Sequence, residues 1–314
     1  MGRYVIRRLI QAIPVLLGAT LLIFAVVFAL PGDPIAALAG EKRGNPVVVA
    51  LLREQYHLND PLIVQYGYYI SGVFQGNLGR TYANVEVSQI IAAKFQVTVN
   101  LAITALVLEA IFGVGLGLWA ALRRGKATDS MILASTLILV SVPTLVTGFV
   151  LQLLLGVQLR RWTGGVEIFP IAGVSDGWIS YVVPGFVLAG TSIAYLTRLT
   201  RTSLVENLRA DYVRTAVAKG MPRRRVVGRH ALRNALIPLI TFLGADLGTL
   251  MGGAVITESI FNIPGIGQEL FRSVHERQQP VVVGIVTILV LVYILANLVV
   301  DLLYAVLDPR IRYE

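Results

Sequence analysis

The chain has 314 residues, of which 55% are hydrophobic and only 14% are charged, and its mean hydropathy is +0.72. Soluble domains carry about 25% charged residues, so the composition excludes an ordinary soluble protein and predicts an all-α integral membrane protein. The net charge of +9 would suggest a nucleic-acid partner for a soluble protein, but in a membrane protein the location of the charges decides their meaning. The chain contains no cysteine, which excludes disulfides, and its three histidines are too scattered to predict a metal site.

Six apolar stretches are each long enough to cross a bilayer, which takes about 20 residues in a helix. The first follows three arginines, but Pro31-Gly32-Asp33-Pro34 comes after it in place of a small-residue cleavage site, so we expect an anchor and not a signal peptide. The chain is predicted to form a single transmembrane domain over residues 1–314. The predicted spans lie at approximately 9–30, 97–122, 131–158, 178–199, 235–257 and 281–307.

The distribution of basic residues predicts the orientation, because Lys and Arg are in excess on the cytoplasmic side of membrane proteins. If the N-terminus lies inside, the inner segments hold 18 of the 27 basic residues, and ten of these lie in residues 198–234. Both termini are then expected to be cytoplasmic, in the inner membrane of a bacterium. This places the long segment 31–96 outside as an external loop region and the segment 200–234 inside.

The inner segment includes residues 211–234, DYVRTAVAKGMPRRRVVGRHALRN, with seven Arg or Lys and one Asp. Asp211 is a suitable N-cap for a short helix, and Gly220 suits a helix end with a positive φ. Pro222 can then open a second helix through Arg223–Arg225 toward Pro238. A basic loop that meets anionic lipid is the alternative, but it leaves the small residues and the glycine turn unexplained. A docking surface for another protein explains both.

The peptide RTAVAKG within this segment resembles the EAA motif of bacterial ABC importer permeases. Ala216 and Gly220 match the motif, whereas Arg214 and Thr215 replace its Glu and Ala. The chain is similar over almost its entire length to the dipeptide/oligopeptide/nickel permeases, and most similar to the DppB/OppB-type subunit. The matching stretches are PGDP (31–34), HLNDPLIVQY (57–66), GNLGRTY (76–82), AVAKG…RHALRNALIP (216–238), FNIPGIG (261–267) and NLVVDLLYAVLDPR (297–310).

This resemblance implies a type I ABC importer permease fold with six transmembrane helices and cytoplasmic coupling helices, which sit in a groove of an ATPase. The residues expected to couple this chain to the ATPase are Arg214, Thr215, Ala216, Lys219 and Gly220. The implied partners are a second homologous permease, two ATPase domains and an external solute-binding protein, in addition to membrane lipid. The implied solute is a di- or oligopeptide, with nickel or haem as alternatives within the same family.

The chain has no phosphate-binding sequence of its own. The nearest fragment, Gly125-Lys126-Ala127-Thr128, has no Ser or Thr directly after the Lys. We therefore expect ATP and Mg²⁺ on the partner ATPase, no cofactor on this chain, and no enzymatic activity in it. A stand-alone secondary transporter is the competing class, but its inverted repeats are not visible in the sequence. Nucleic-acid binding by the basic segment is disfavoured because no aromatic residues are interleaved with the charges.

Three acidic residues, Glu109, Asp246 and Asp301, fall within predicted spans. An acid at a helix centre costs about 2.5–3.5 kcal/mol in the membrane, so each is expected to face protein or water. For Asp301 we favour a structural contact. For Glu109 and Asp246 a gate or solute contact and a structural contact between helices remain open.

Three glycines, Gly244, Gly248 and Gly252, repeat every four residues along the fifth span and share one helix face. Small residues at this spacing let helices pack closely in lipid. We expect this face to pack against a second permease at the pathway, and packing within the chain is the alternative. Gly113 and Gly117 form a weaker pair of the same kind in the second span.

Overall fold

The computed structural model describes residues 2–29, 47, 50, 53–54, 57, 59–81 and 84–307. In this part of the chain the named elements are all helical, and an isolated antiparallel bridge joins Arg80 to Glu86. The motif PGDP lies outside the described residues. The helices are α1 (Gly2–Ala29), α2 (Leu62–Phe74), α3 (Val87–Leu122), α4 (Ala127–Ser141), α5 (Thr144–Trp162), α6 (Gly177–Leu208), α7 (Asp211–Ala218), α8 (Arg223–Ile260), α9 (Ile266–His275) and α10 (Gln279–Leu307).

Five of these helices, α1, α3, α6, α8 and α10, are long and apolar enough to cross a membrane. The third predicted span is not a continuous helix. It consists of α4 and α5, which are bent by 102° and together pass the same test, so the total is six if the pair counts as one span. The break falls at Val142 and Pro143, both of which have extended backbones. Proline lacks an N–H and disfavours helical geometry in the residue before it, which explains the break.

Several helices extend beyond the predicted apolar spans. Helix α3 begins at Val87 and not at residue 97, and α6 continues to Leu208 and not to residue 199. The second helix expected from Pro222 through Arg223–Arg225 toward Pro238 forms, but it is not separate from the fifth span, because α8 runs without interruption from Arg223 through Pro238 to Ile260. A run of apolar residues reports only the part of a helix that lies in the hydrocarbon core. Backbone hydrogen bonds and packing against other segments continue the helix beyond that part.

The chain forms two compact units that interleave in sequence. One unit comprises residues 1–98 and 264–294, and the other comprises residues 99–263 and 295–314. In the first unit, Phe24 and Val27 of α1 pack with Tyr66 of α2 and with two valines of α10. The Tyr66 hydroxyl donates a hydrogen bond to the Leu17 carbonyl at 3.0 Å, which fixes α2 against α1.

The N-terminus of α9 is held by the part of α3 that belongs to the same unit. The backbone N–H of Ile266 donates to Thr98 Oγ1 at 2.8 Å in a buried environment. The buried Glu269 carboxylate accepts from Lys94 at 3.1 Å and from Arg272 at 2.6 Å. A free N–H at a helix start needs a partner, so the Thr98 hydroxyl acts as a cap supplied by another helix.

Replacing Thr98 with Val should lower the stability of this unit by about 1–3 kcal/mol, because the isosteric change leaves the buried Ile266 N–H without its acceptor. Thermal unfolding of the purified complex in detergent measures the loss. Thr98→Ser keeps the hydroxyl and is the matched control. Equal melting temperatures for the Val and Ser variants would contradict this role of the hydroxyl.

In the second unit, α6 packs against the C-terminal part of α3 and against α4, α5 and α8. Two glycines of α3 allow its close approach to α6. A Cβ at Gly113 would lie 2.8 Å from the Leu196 side chain, and one at Gly117 would lie 2.4 Å from Thr200 Cβ. The absence of a Cβ at these two positions therefore sets the distance between the second and fourth spans.

Candidate coupling site

Helix α7 is the short helix predicted between the fourth and fifth spans, with one change at its start. Ala210 occupies the N-cap position, and Asp211 is the first helical residue, with no capping hydrogen bond. The expectation that Asp211 is the N-cap is therefore wrong. Its carboxylate instead lies in the first turn, where the helix dipole favours negative charge, and it pairs with Arg214 Nη1 at 3.3 Å. Both side chains are well exposed, so this pair adds little stability.

One face of α7 packs on its own chain. Val213 and Ala216 are 3% and 4% exposed and join a buried cluster. The other members are Ala121, Leu204, Val226, Ala231 and Ala235. Ala216 thus faces the interior of the permease, and its small side chain lets the helix backbone lie close to the membrane helices.

The opposite face of α7 is open to solvent. Of the five residues predicted to couple the chain to an ATPase, Arg214, Thr215, Lys219 and Gly220 are exposed. Thr215 Oγ1 donates to the Asp211 carbonyl at 2.9 Å within the helix. The structure thus gathers four of the five residues on an accessible surface and separates Ala216 from them.

The end of α7 is the glycine turn predicted from the sequence. Gly220 has a φ of +74°. Its N–H donates to the Val217 carbonyl at 2.9 Å, and the Met221 N–H donates to the Ala216 carbonyl at 3.3 Å. This pair of bonds is the Schellman motif, which places a left-handed residue directly after a helix. A Cβ at Gly220 would meet nothing within 4 Å, so the need for glycine comes from the backbone alone.

Helix α8 begins directly after this turn. Pro222 is extended and occupies the N-cap position. The segment Val226–Ala231 then forms a π-helical turn. Such turns widen the helix and are frequent at functional sites. Here the π turn carries two buried residues, Val226 and Ala231, into the cluster that holds α7.

An ion pair that the sequence did not reveal joins the first turn of α4 to the C-terminal part of α6. Arg201 donates from Nε to Asp129 Oδ1 at 2.6 Å and from Nη2 to Oδ2 at 2.7 Å. The Gly125 N–H donates to the same carboxylate at 3.0 Å. Bidentate Arg–carboxylate pairs fix geometry as well as charge. The two residues are 72 positions apart, so no local pattern could have joined them.

The acids predicted inside the membrane have different outcomes. Glu109 is fully buried, and Asp246 is 8% exposed. Among the described residues, neither Glu109 carboxyl oxygen has a hydrogen-bond partner, and neither does Asp246 Oδ2. Both acids therefore face protein, as their cost in lipid requires. The side chain of Asp301 lies outside the described part of the chain.

The glycine row on α8 divides into two parts. A Cβ at Gly244 would lie 2.6 Å from Val300 Cγ2 of α10, and Gly248 is buried. Gly252 is exposed, and a Cβ there would meet nothing within 4 Å. Packing inside the chain therefore accounts for Gly244, whereas Gly252 has room for a partner. Among the described residues, no three acidic or histidine side chains come together as a metal site would require.

The arrangement of spans is similar to that of solved ABC transporter structures. Two inward-facing structures of the MetNI methionine ABC transporter match 70% of this chain and 97% of theirs. The sequence identities are 15% and 16%, and the TM-scores are 0.54 and 0.55. At such low identity the match shows the fold alone, and that fold is the ABC importer permease fold.

Sequence comparison defines the family. Residues 113–313 match the model of the binding-protein-dependent transport system inner membrane component, and residues 1–102 match the N-terminal model for such membrane components. The glutathione transport system permease protein GsiC of Salmonella typhimurium is 39% identical over 315 residues, and that of Escherichia coli (strain K12) is 38% identical, with 100% of both chains covered in each case. The chain therefore belongs to the family of binding-protein-dependent transport system inner membrane components. It is the permease subunit of an ABC importer, of the DppB/OppB type.

Proposed function

We propose that this chain forms half of the translocation pathway of an ATP-driven importer for small peptides or a related solute. The observation that carries the solute class is the similarity over the full length to glutathione permeases, since glutathione is itself a peptide. The other half of the pathway is a second homologous permease, which packs on the exposed face around Gly252. An external solute-binding protein delivers the solute. The chain acts as a single permease domain across its two compact units.

The exposed face of α7 supports a coupling role. In the proposed orientation, with both termini in the cytoplasm, α7 lies below the membrane at the junction of α6 and α8. Its buried face is fixed by Val213 and Ala216, and its exposed face presents Arg214, Thr215 and Lys219 to an ATPase. A partner that displaces this face displaces the ends of two membrane helices with it. ATP hydrolysis in the partner thereby opens and closes the pathway.

The experiment that tests this function uses the chain with an affinity tag in its native cells. Purification should yield a second permease and an ATPase in fixed proportion, and proteoliposomes of that complex should take up labelled dipeptide or glutathione in the presence of ATP and the solute-binding protein. Uptake of nickel or haem in place of peptide would reassign the solute within the family. Transport by the chain without an ATPase would establish a secondary transporter instead.

The orientation can be tested on the same complex, because the chain has no native cysteine. A cysteine at Gln75, an exposed position after α2, should react with an impermeant maleimide in intact cells. A cysteine at Lys219 should react only after permeabilisation, since we place it in the cytoplasm. The opposite pattern would invert the topology.

A further inference from the structure

An open apolar groove of about 340 Å³ lies between α7 and the inner ends of the membrane helices. Its walls come from the ends of α3 and α6, from α7 and its glycine turn, and from the first turns of α8. The residues that matter here are Leu122, Leu208, Val217, Met221, Arg223 and Val227. Leu122 and Val217 are 38% and 59% exposed. Contiguous apolar surface that is exposed in this way is typical of sites that contact a partner, a ligand or the membrane.

Basic residues lie in the lining of this groove and directly next to that lining in sequence. Arg223 is one of its lining residues, and Arg123 and Arg209 follow Leu122 and Leu208 directly in sequence. The neighbouring Arg224 and Arg225 are also exposed. In the described part of the chain none of these five arginines forms a salt bridge.

Few acidic groups oppose these arginines. Glu206 is the exposed acid on the adjoining turn of α6, and Asp211 is paired with Arg214. The combination of an apolar trough with surplus positive charge at its edge is complementary to an anion that carries an apolar tail.

A hydrogen bond between α6 and α8 indicates the depth of the groove. Ser203 Oγ donates to the Ala235 carbonyl at 3.1 Å, so this turn of α6 lies beside the start of the fifth apolar stretch at residue 235. Leu208 follows Ser203 by five residues, which is about 7 Å along a helix. The headgroup layer extends about 5–8 Å beyond the hydrocarbon on each side. In the proposed orientation, the groove therefore opens at the depth of the inner headgroups.

We propose that this groove binds an anionic phospholipid of the inner leaflet, with the lipid phosphate beside Arg223 and the glycerol and upper acyl segment along Leu122 and Val217. The site rests on the proposed orientation of the cytoplasmic segment. Lipid bound there fills the space behind α7 and supports it against the ends of α3 and α6. The exposed coupling face, with Arg214 and Lys219, stays free for the ATPase. Membrane composition then affects how firmly the coupling helix is held.

The test uses the complete importer, reconstituted in phosphatidylcholine with a trace of phosphatidylglycerol that carries a photoreactive diazirine in its acyl chain. After illumination, mass spectrometry of the peptides should find the label enriched between Leu208 and Val227. Arg223→Gln should weaken this labelling about fivefold, the effect expected for one basic residue near an anionic surface. Arg229→Gln is the matched control, since Arg229 is exposed on the same helix but does not line the groove.

Three results would overturn the site. Equal labelling by a phosphatidylcholine probe would show that the groove does not select an anionic headgroup. An equal loss of labelling in the Arg223→Gln and Arg229→Gln variants would show that the lipid does not bind at this groove. Labelling that appears only after the ATPase has been removed would show that the ATPase, and not lipid, covers the groove. Val217→Asp places a charge in the apolar wall of the groove and should also reduce labelling. This second variant keeps the test decisive if Arg223→Gln does not fold. The proposed function has its own two measurements, co-purification of the ATPase and ATP-dependent uptake, so a failure of that function is distinguishable from a failure of lipid labelling.

Discussion

Gly220→Val should leave the chain inserted in the membrane while uptake and solute-stimulated ATP hydrolysis fall together. The φ of +74° at this position is accessible to glycine but strained for a β-branched residue. The strain is on the order of 1–2 kcal/mol, and a shift of that size changes an equilibrium by a factor of about 5–30. Because a Cβ here meets nothing within 4 Å, the effect is purely one of backbone geometry. Measurement requires the rates of uptake and of ATP hydrolysis in proteoliposomes.

Gly220→Asn is the matched control for this prediction. Asparagine tolerates the left-handed region far better than valine, and the open space at Gly220 accepts its side chain. We therefore expect near-normal coupling in the Asn variant and a large loss in the Val variant. If α7 serves only as a lipid anchor, Gly220→Val is mild, and neutralising Arg223, Arg224 and Arg225 disturbs membrane placement instead. Full coupling in Gly220→Val would end the case for α7 as the coupling element.

The sequence predicted this region well because its signals are local. A helix end with a positive φ requires glycine for reasons contained within a few residues, and Gly220 has the predicted geometry. The N-cap was misplaced by one residue because Asp favours both the N-cap and the first turn of a helix. The face of Ala216 could not be assigned, since a small residue suits close packing against either a partner or the chain itself.

Long-range features were beyond local patterns. The Asp129–Arg201 pair joins helices far apart in sequence, and only the packing of α4 on α6 brings its members together. The sequence did not predict the bend at Pro143, because a single apolar run continues across this residue and is long enough to span the membrane. Hydropathy counts apolar residues but does not register the hydrogen bond that a proline removes. For the same reason, hydropathy does not predict where a helix begins or ends beyond its apolar stretch.

The glycines of α3 and α8 also show that a local pattern does not identify which helix packs against it. Spacing gave more weight to the row of three on α8 than to the pair on α3. In the structure, a Cβ at Gly117 of the pair would lie 2.4 Å from Thr200 Cβ, which is closer than the 2.6 Å between a Cβ at Gly244 and Val300 Cγ2. A small-residue pattern identifies a face that can pack closely, but it does not say which neighbour occupies that face.

Gly117→Ala should therefore destabilise the chain by about 3 kcal/mol, the upper end of the usual cost of overpacking. The added methyl group meets Thr200 Cβ at 2.4 Å and a backbone oxygen, neither of which can rotate away. The melting temperature and the yield from membranes should both fall. Gly252→Ala is the matched control, because it adds the same methyl group to open space on an exposed face.

The larger change Gly252→Leu separates the two roles of the glycine row. It should leave the melting temperature of the isolated chain unchanged, since no atom of the described residues lies within 4 Å of a Cβ at that position. It should nevertheless reduce the yield of the complex with the second permease, because a bulky side chain prevents the close backbone approach that small residues permit in lipid. Size-exclusion chromatography of the co-expressed permeases measures the change. Normal assembly of Gly252→Leu would mean that this face contacts lipid, and the permease interface would then have to lie on another helix.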